Sequence, residues 1–164
     1  MEEEYKKIYL AGGCFWGMED LFRREMGVIE TTVGYTGGIL PHPTYEKHNG
    51  HAEALEIIYD PRETSFETLL DFFFRIHDPT TPNQQGNDRG SAYRSSIFYQ
   101  NKKEKAKAYN FIKKVNDSGR YPDPVVTIVE KFNTFWKAEK NHQDYLQNNP
   151  GGYTCHSVRW TNKY

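Results

Sequence analysis

The chain has 164 residues, a length that suits one domain with a real core, and 3 Trp, 12 Tyr and 10 Phe to fill it. Its 21 Lys and Arg nearly balance 22 Asp and Glu, and no basic stripe runs along it, so composition makes no case for nucleic acid. No apolar run approaches the length of a membrane span, and the acidic start at Met1-Glu2-Glu3-Glu4 lacks the apolar core of a secretion signal, so a soluble cytoplasmic protein is expected.

The first element is an apolar stretch, Ile8-Tyr9-Leu10-Ala11, that runs into Gly12-Gly13-Cys14-Phe15-Trp16-Gly17. Met18, Leu21 and Phe22 then recur at helical spacing, which reads as strand, tight turn and helix with Cys14 at the helix N-terminus. Unpaired N–H groups and the helix dipole favour an anion there, so the thiol is expected to titrate below its free value of about 8.5 and to be poised as a thiolate. Free cysteines more often act as small buried hydrophobes. Here the flanking glycines leave the sulfur open to approach, and Phe15 and Trp16 supply a rigid apolar wall beside it, which favours a reactive role.

Gly27 is the expected cap of this helix, and residues 29–35 are β-prone. Residues 36–50, rich in Gly, Pro, His and Asn, form a loop of a length usually given to function. Residues 52–59 read as a strand ended by Asp60-Pro61, whose alternation places Glu53 on one face with Leu55, Ile57 and Tyr59. At the end of an apolar face the Glu53 carboxyl would be desolvated and hold its proton near neutrality, as a general acid requires. At a solvated strand start it would be an ordinary surface carboxylate, and the segment alone supports both readings equally.

Thr64-Ser65-Phe66-Glu67 is a capping-box pattern with Thr64 as the cap, and Phe66, Leu69, Leu70, Phe73 and His77 continue at helical spacing as far as Asp78-Pro79. A polar stretch over 80–91 leads to a strand over 93–99, and Asn101 caps a helix over 102–116 that buries Ala108, Phe111, Ile112 and Val115. Residues 125–129 read as another strand. Phe135-Trp136-Lys137-Ala138-Glu139 opens a last short helix ending near Leu146, and a breaker-rich tail carries Cys155 on a mobile loop. Cys14 and Cys155 are the only cysteines and lie far apart outside any CxxC pair, which argues against a zinc knuckle or disulfide scaffold and for thiol catalysis in a reducing compartment. The element order predicts an α+β fold of one domain over 1–164. It opens as a split βαβ arrangement, a ferredoxin-like two-layer sandwich with a helical and loop-rich C-terminal extension.

Ordered motifs cover nearly the whole chain: Gly13-Cys14-Phe15-Trp16-Gly17, Gly34-Tyr35-Thr36-Gly37-Gly38, Pro43-Thr44-Tyr45, Gly50-His51-Ala52-Glu53, Gln85-Gly86-Asn87-Asp88 and Tyr93-Arg94-Ser95. Ala138-Glu139 with His142-Gln143, and Asn149-Pro150-Gly151-Gly152-Tyr153, complete the set. Together they closely resemble the peptide methionine sulfoxide reductase A family. The resemblance implies reduction of methionine-S-sulfoxide, peptide-bound or free. It implies Cys14 as the nucleophile at the sulfoxide sulfur and Glu53 as the acid for its oxygen, with Tyr45 and Tyr93 as hydrogen-bond donors to that oxygen. Asp88 would support the site, and Phe15 and Trp16 would hold the substrate methyl group.

The resemblance further implies that a Cys14 sulfenic acid condenses with Cys155 to a disulfide that thioredoxin or another dithiol reduces, with no metal or organic cofactor. The implied partners are oxidised methionine-containing proteins and peptides and thioredoxin, not nucleic acid or membrane, and the protein is expected to be a monomer. Two other readings compete with this one. One is an acyl-transferring enzyme with His51 as base toward Cys14; the other is a binding module whose aromatic groove of Phe15, Trp16, Tyr45 and Tyr93 holds an apolar side chain without chemistry.

Overall fold

The computed structural model describes residues 4–164, so the acidic start read above at Met1-Glu2-Glu3 lies outside the described residues. Strand β1 (Lys6–Gly12) turns through Gly13 and Cys14 into helix α1 (Phe15–Phe22), followed by β2 (Val28–Thr36), β3 (Ala52–Tyr59) and α2 (Phe66–Ile76). A small hairpin of β4 (Gln84–Gln85) and β5 (Asp88–Arg89) precedes β6 (Ser95–Tyr99) and α3 (Lys102–Ser118). The chain then forms β7 (Ile128–Lys131), β8 (Phe135–Lys137) and a short α4 (Tyr145–Asn148). The fold is α+β: six strands make one sheet in the order β7-β6-β1-β3-β2-β8, antiparallel at every pairing except that of β6 with β7.

Alternation along the strands separates two apolar faces. Ile8, Leu10, Leu55, Ile57 and Tyr59 enter the main core, where they meet Phe15, Met18 and Phe22 of α1, Leu69, Leu70, Phe73 and Phe74 of α2, and Phe111 and Val115 of α3. Each such large side chain, fully buried, contributes about 1.5–3 kcal/mol relative to exposure. On the other face Tyr9, Ala11, Ala52 and Ala54 are overlaid by Phe132 and Phe135, with Tyr9 and Phe132 stacked at 3.9 Å.

Several elements differ from the sequence-based expectation for local reasons. Helix α1 stops at Phe22, and Gly27, at φ 87°, turns the chain into β2 rather than capping the helix. The cap of α2 is Ser65, whose hydroxyl accepts from the Thr68 N–H at 3.1 Å, one residue later than the capping box suggests. Asn101 caps α3 as expected, accepting from the Glu104 N–H at 2.9 Å. The strand expected from residue 93 begins at Ser95 because Ser91–Tyr93 form a 3-10 turn. The strand expected over 125–129 joins the sheet only at Ile128, since the Val125 and Val126 N–H groups go first to Asn116 Oδ1 and Pro79 O.

The helix expected from Phe135 does not form. Phe135, Trp136 and Lys137 pair instead with Thr36, Tyr35 and Gly34 as β8. Aromatic residues suit a pleated surface as well as a helix, and the unpaired backbone groups along the outer edge of β2 decide between them. Gln143 extends that edge with its side chain: Oε1 accepts from the Val33 N–H at 2.9 Å, and Nε2 donates to Val33 O at 2.9 Å and Ala138 O at 3.0 Å. Only a 3-10 turn over Lys140–His142 and α4 remain helical in this stretch.

The C-terminal segment is docked along the molecule rather than free. The Arg159 N–H donates to Arg75 O at 2.7 Å, the Tyr164 N–H to Asp71 Oδ2 at 2.9 Å, and the Tyr164 hydroxyl to Phe74 O at 2.8 Å. Among the described residues no helix is long and apolar enough to cross a membrane.

Candidate active site

The turn from β1 into α1 sets the position of Cys14. Gly13 has φ 99°, and a Cβ there would lie 2.6 Å from Gln85 Cβ, so only glycine permits this approach. Cys14 is 5% exposed, and the next backbone N–H, that of Phe15, donates to Glu53 Oε1 at 3.2 Å. Glu53 is 1% exposed, and its Oε2 is buried without a hydrogen-bond partner. Burial lifts the Glu53 carboxyl to about 8, opposed by the Phe15 N–H and helped by the charge of Asp88. Of the two readings left open by the sequence, Glu53 therefore meets the first, a carboxyl that holds its proton at neutrality.

Cys14 departs from expectation. Burial pushes its thiol well above the ordinary value, the charges of Glu53, Asp88 and Cys155 add to the rise, and the Trp16 N–H opposes it. Desolvation of a nearly enclosed sulfur outweighs the N-terminus of an eight-residue helix. The resting site pairs a thiol with a carboxylic acid rather than holding a thiolate.

Tyr45 and Tyr93 reach the same place from the loops ahead of β3 and β6. Burial raises both hydroxyls, that of Tyr45 to about 12, and both lie in the fields of Glu53, Asp88 and Cys14. The Tyr45 loop is closed by paired backbone bonds between Thr44 and Lys47 at 2.8 and 3.1 Å, and it is anchored where the Tyr45 N–H donates to Glu139 Oε2 at 2.9 Å. The other Glu139 oxygen accepts from the Tyr35 hydroxyl at 2.8 Å. Asp88, on β5, accepts from the Tyr153 hydroxyl at 3.2 Å.

An aromatic wall stands beside the sulfur. The Trp16 indole N–H donates to His142 Nδ1 at 3.1 Å, and Tyr145 stacks on the indole at 3.9 Å and 11°. Phe15 lies deeper, against Tyr35, Tyr45 and His142 at 5.6–6.3 Å. Glu19 ties this wall to the helix: it accepts from the Asp144 N–H at 2.7 Å and from the Thr31 hydroxyl at 2.8 Å, and burial raises its carboxyl to about 7. Glu139 and His142 stand in the motifs quoted above without any sign of their task, and Glu19 reads in sequence as one more polar residue on a helix.

His51 is committed to its own loop. Its Nδ1 accepts from the Gly38 N–H at 3.1 Å and its Nε2 donates to Leu40 O at 2.8 Å, which leaves no lone pair for a base toward Cys14 and removes the basis of the acyl-transfer reading. Cys14 and Cys155 are both free thiols. Cys155 Sγ lies 3.7 Å from Asp88 Oδ2, so the structure gathers Cys14, Glu53, Tyr45, Tyr93, Asp88 and Cys155 beside Phe15 and Trp16. Among the described residues no cluster of three or more His, Cys, Asp or Glu could hold a metal ion.

A family model described as peptide methionine sulfoxide reductase matches residues 6–163. The peptide methionine sulfoxide reductase MsrA of Mycolicibacterium vanbaalenii is 56% identical over 156 residues, covering 95% of this chain and 92% of that protein. Among solved structures, Mxr1 from Saccharomyces cerevisiae in reduced form is similar with a TM-score of 0.88 at 34% identity, over 98% of this chain and 96% of that one. Mxr1 in complex with Trx2 is similar with a TM-score of 0.67 at 25% identity, over 98% and 95% of the two chains. The chain belongs to the peptide methionine sulfoxide reductase (MsrA) family.

Proposed function

We propose that this protein reduces methionine-S-sulfoxide, in proteins and peptides and as the free amino acid, to methionine. The observation that carries this reading is Glu53: a carboxyl 1% exposed, one oxygen holding the Phe15 N–H and the other unpartnered, beside a free thiol, where burial favours the protonated form. The Cys14 sulfur attacks the substrate sulfur while Glu53 protonates the sulfoxide oxygen. The oxygen ends on Cys14 as a sulfenic acid, the thioether leaves, and the thiol proton returns to Glu53. The electrons lost by the Cys14 sulfur are those gained by the substrate sulfur.

Tyr45 and Tyr93 donate to the oxygen as its charge develops, and Phe15 and Trp16 hold the methyl group. Cys155 then attacks the sulfenic acid, forming a Cys14–Cys155 disulfide and releasing water. A dithiol protein of the thioredoxin type reopens it, a reading supported by the solved complex of Mxr1 with Trx2. Two free cysteines fit a reducing cytoplasm. We read the whole chain as one catalytic domain. Its β6-β1-β3-β2 portion we read as a ferredoxin-like split βαβ unit, which the strand order and antiparallel pairing support.

The test is steady-state reduction of a methionine sulfoxide peptide with thioredoxin as electron source, using separated S and R epimers. Turnover of the S epimer, abolished in Cys14→Ser, is expected. Conversion of neither epimer, with intact peptide binding, would leave a binding module in its place.

A further inference from the structure

His156 is buried directly after Cys155 and lies against the turn that carries Cys14. Its Nε2 is 2.7 Å from Gly12 O. A carbonyl oxygen only accepts, so Nε2 carries the hydrogen and Nδ1 keeps a bare lone pair. That Nδ1 is 3.8 Å from Cys155 Sγ. The ring is held in place on its far side as well: a Cβ on Gly17 would collide with Nδ1, and one on Gly13 would lie 3.4 Å from Nε2. Two other acceptors face the Cys155 thiol, Gln85 O at 3.8 Å and Asp88 Oδ2 at 3.7 Å. Gln85 O is an amide carbonyl, and Asp88 Oδ2 already accepts the Tyr153 hydroxyl.

We propose that His156 is the general base for the resolving thiol, taking the Cys155 proton as Cys155 attacks the Cys14 sulfenic acid. This rests on the reading of Cys155 as the resolving cysteine. The S–S bond forms and the S–O bond of the sulfenic acid breaks. The proton passes from Cys155 to Nδ1 and on to the departing hydroxide, which leaves as water; Cys155 sulfur is oxidised as Cys14 sulfur is reduced. Because His156 packs under the Gly12-Gly13-Cys14 turn, it returns the proton beside the sulfur from which the hydroxide departs. A base is needed because burial and Asp88 hold the Cys155 thiol above its ordinary range, against the Tyr153 hydroxyl, which also faces the thiol and lowers it. The groups that act on the imidazole are Cys155, Asp88 and Arg159, with His77 nearby from the end of α2; burial, the dominant influence, keeps it neutral through the physiological range.

The experiment mixes the reduced full-length protein with one equivalent of a methionine-S-sulfoxide peptide, with no external reductant. It follows methionine release and Cys14–Cys155 disulfide closure separately, from about pH 6.5 to about pH 8.5. Wild-type closure is expected to be nearly level with pH. In His156→Gln, whose amide still donates to Gly12 O, methionine is still released while closure slows by about 10²–10⁴-fold and rises about tenfold per pH unit. A dimedone adduct should then report the sulfenic acid that accumulates on Cys14. Closure in His156→Gln at the wild-type rate, or with a level profile, would overturn the proposal and leave Asp88 as the acceptor. Should His156→Gln fail to fold, Asp88→Asn takes its place: closure that stays level with pH supports His156 as the base, and closure that rises tenfold per unit assigns the proton to Asp88 and overturns the proposal. A wild-type protein that releases methionine without any Cys14–Cys155 disulfide would instead remove the resolving role of Cys155, and the proposal with it.

Discussion

Glu53 keeps its proton because losing it would leave a charge in the core with one backbone N–H to hold it. Catalysis that depends on this proton should fall as the pH rises through about 8. Glu53→Gln, which fills the same space without an acidic proton, should slow methionine formation in a single turnover by about 10²–10⁴-fold near neutrality. Quenched-flow chromatography of the released methionine reads this directly. The same burial ties stability to pH. Glu19 and Glu53 titrate near 4.5 unfolded but at about 7 and about 8 folded, so the native state binds more protons between those values. Their contribution is full below about 4.5 and is lost as the pH rises through about 7 and about 8. Below about pH 6.5 the buried, neutral His77 and His156 act in the opposite sense, so Glu19 is read by difference: the urea stability of Glu19→Gln relative to wild type should rise between about pH 5 and about pH 7, and a constant difference would exclude Glu19 as a source. Strand alternation puts Glu53 on the face of Leu55, Ile57 and Tyr59 but cannot tell a buried end from a solvated start, which the structure decides, and the state of Cys14 is less legible still. The sequence displays the helix that begins beside the sulfur and hides the side chains that enclose it.

Helix α1 carries Cys14, the proposed nucleophile, at its N-terminus and, one turn on, the glycine that lets the C-terminal segment approach. A Cβ on Gly17 would strike His156 Nδ1 and lie 2.6 Å from Thr154 Oγ1. Gly17→Ala should therefore displace the segment bearing Cys155, cost about 1–3 kcal/mol in urea unfolding, and slow disulfide closure more than methionine release. Equal effects on the two steps, measured in one single-turnover experiment, would contradict that division. Periodicity marks α1, α2 and α3 because apolar residues recur along each at helical spacing, and β3 because alternation sets Leu55, Ile57 and Tyr59 on one face and Ala52 and Ala54 on the other. Residues 135–146 mislead it, since Phe135 and Trp136 suit either element and the free edge of β2 that claims them lies a hundred positions earlier in the chain. The pairing of Gln143 with both backbone groups of Val33 is likewise invisible until the sheet is assembled.

Across the whole molecule the C-terminal segment acts as a strap over α2 that delivers Cys155 to the site. Its attachment includes a buried ion pair: Arg75 Nε lies 2.7 Å from Asp71 Oδ1, and the other Asp71 oxygen accepts the Tyr164 N–H. Arg75→Ala leaves Asp71 buried with that single N–H and should cost about 3–5 kcal/mol in chemical denaturation; a loss near zero would mean that water replaces the guanidinium. The strap defeats a reading of composition, because Gly, Pro and Asn in residues 148–152 signal breaks in local structure and say nothing of the long-range bonds beyond them. The central claim, that the Cys14 sulfur takes the sulfoxide oxygen, is tested most directly in Cys155→Ser, where the first product cannot be resolved. Mass spectrometry after mixing with methionine-S-sulfoxide peptide should show about one methionine released per protein and one oxygen gained on Cys14, trappable by dimedone, with the R epimer inert. Methionine released with Cys14 unmodified, or product formed equally from the R epimer, would contradict it.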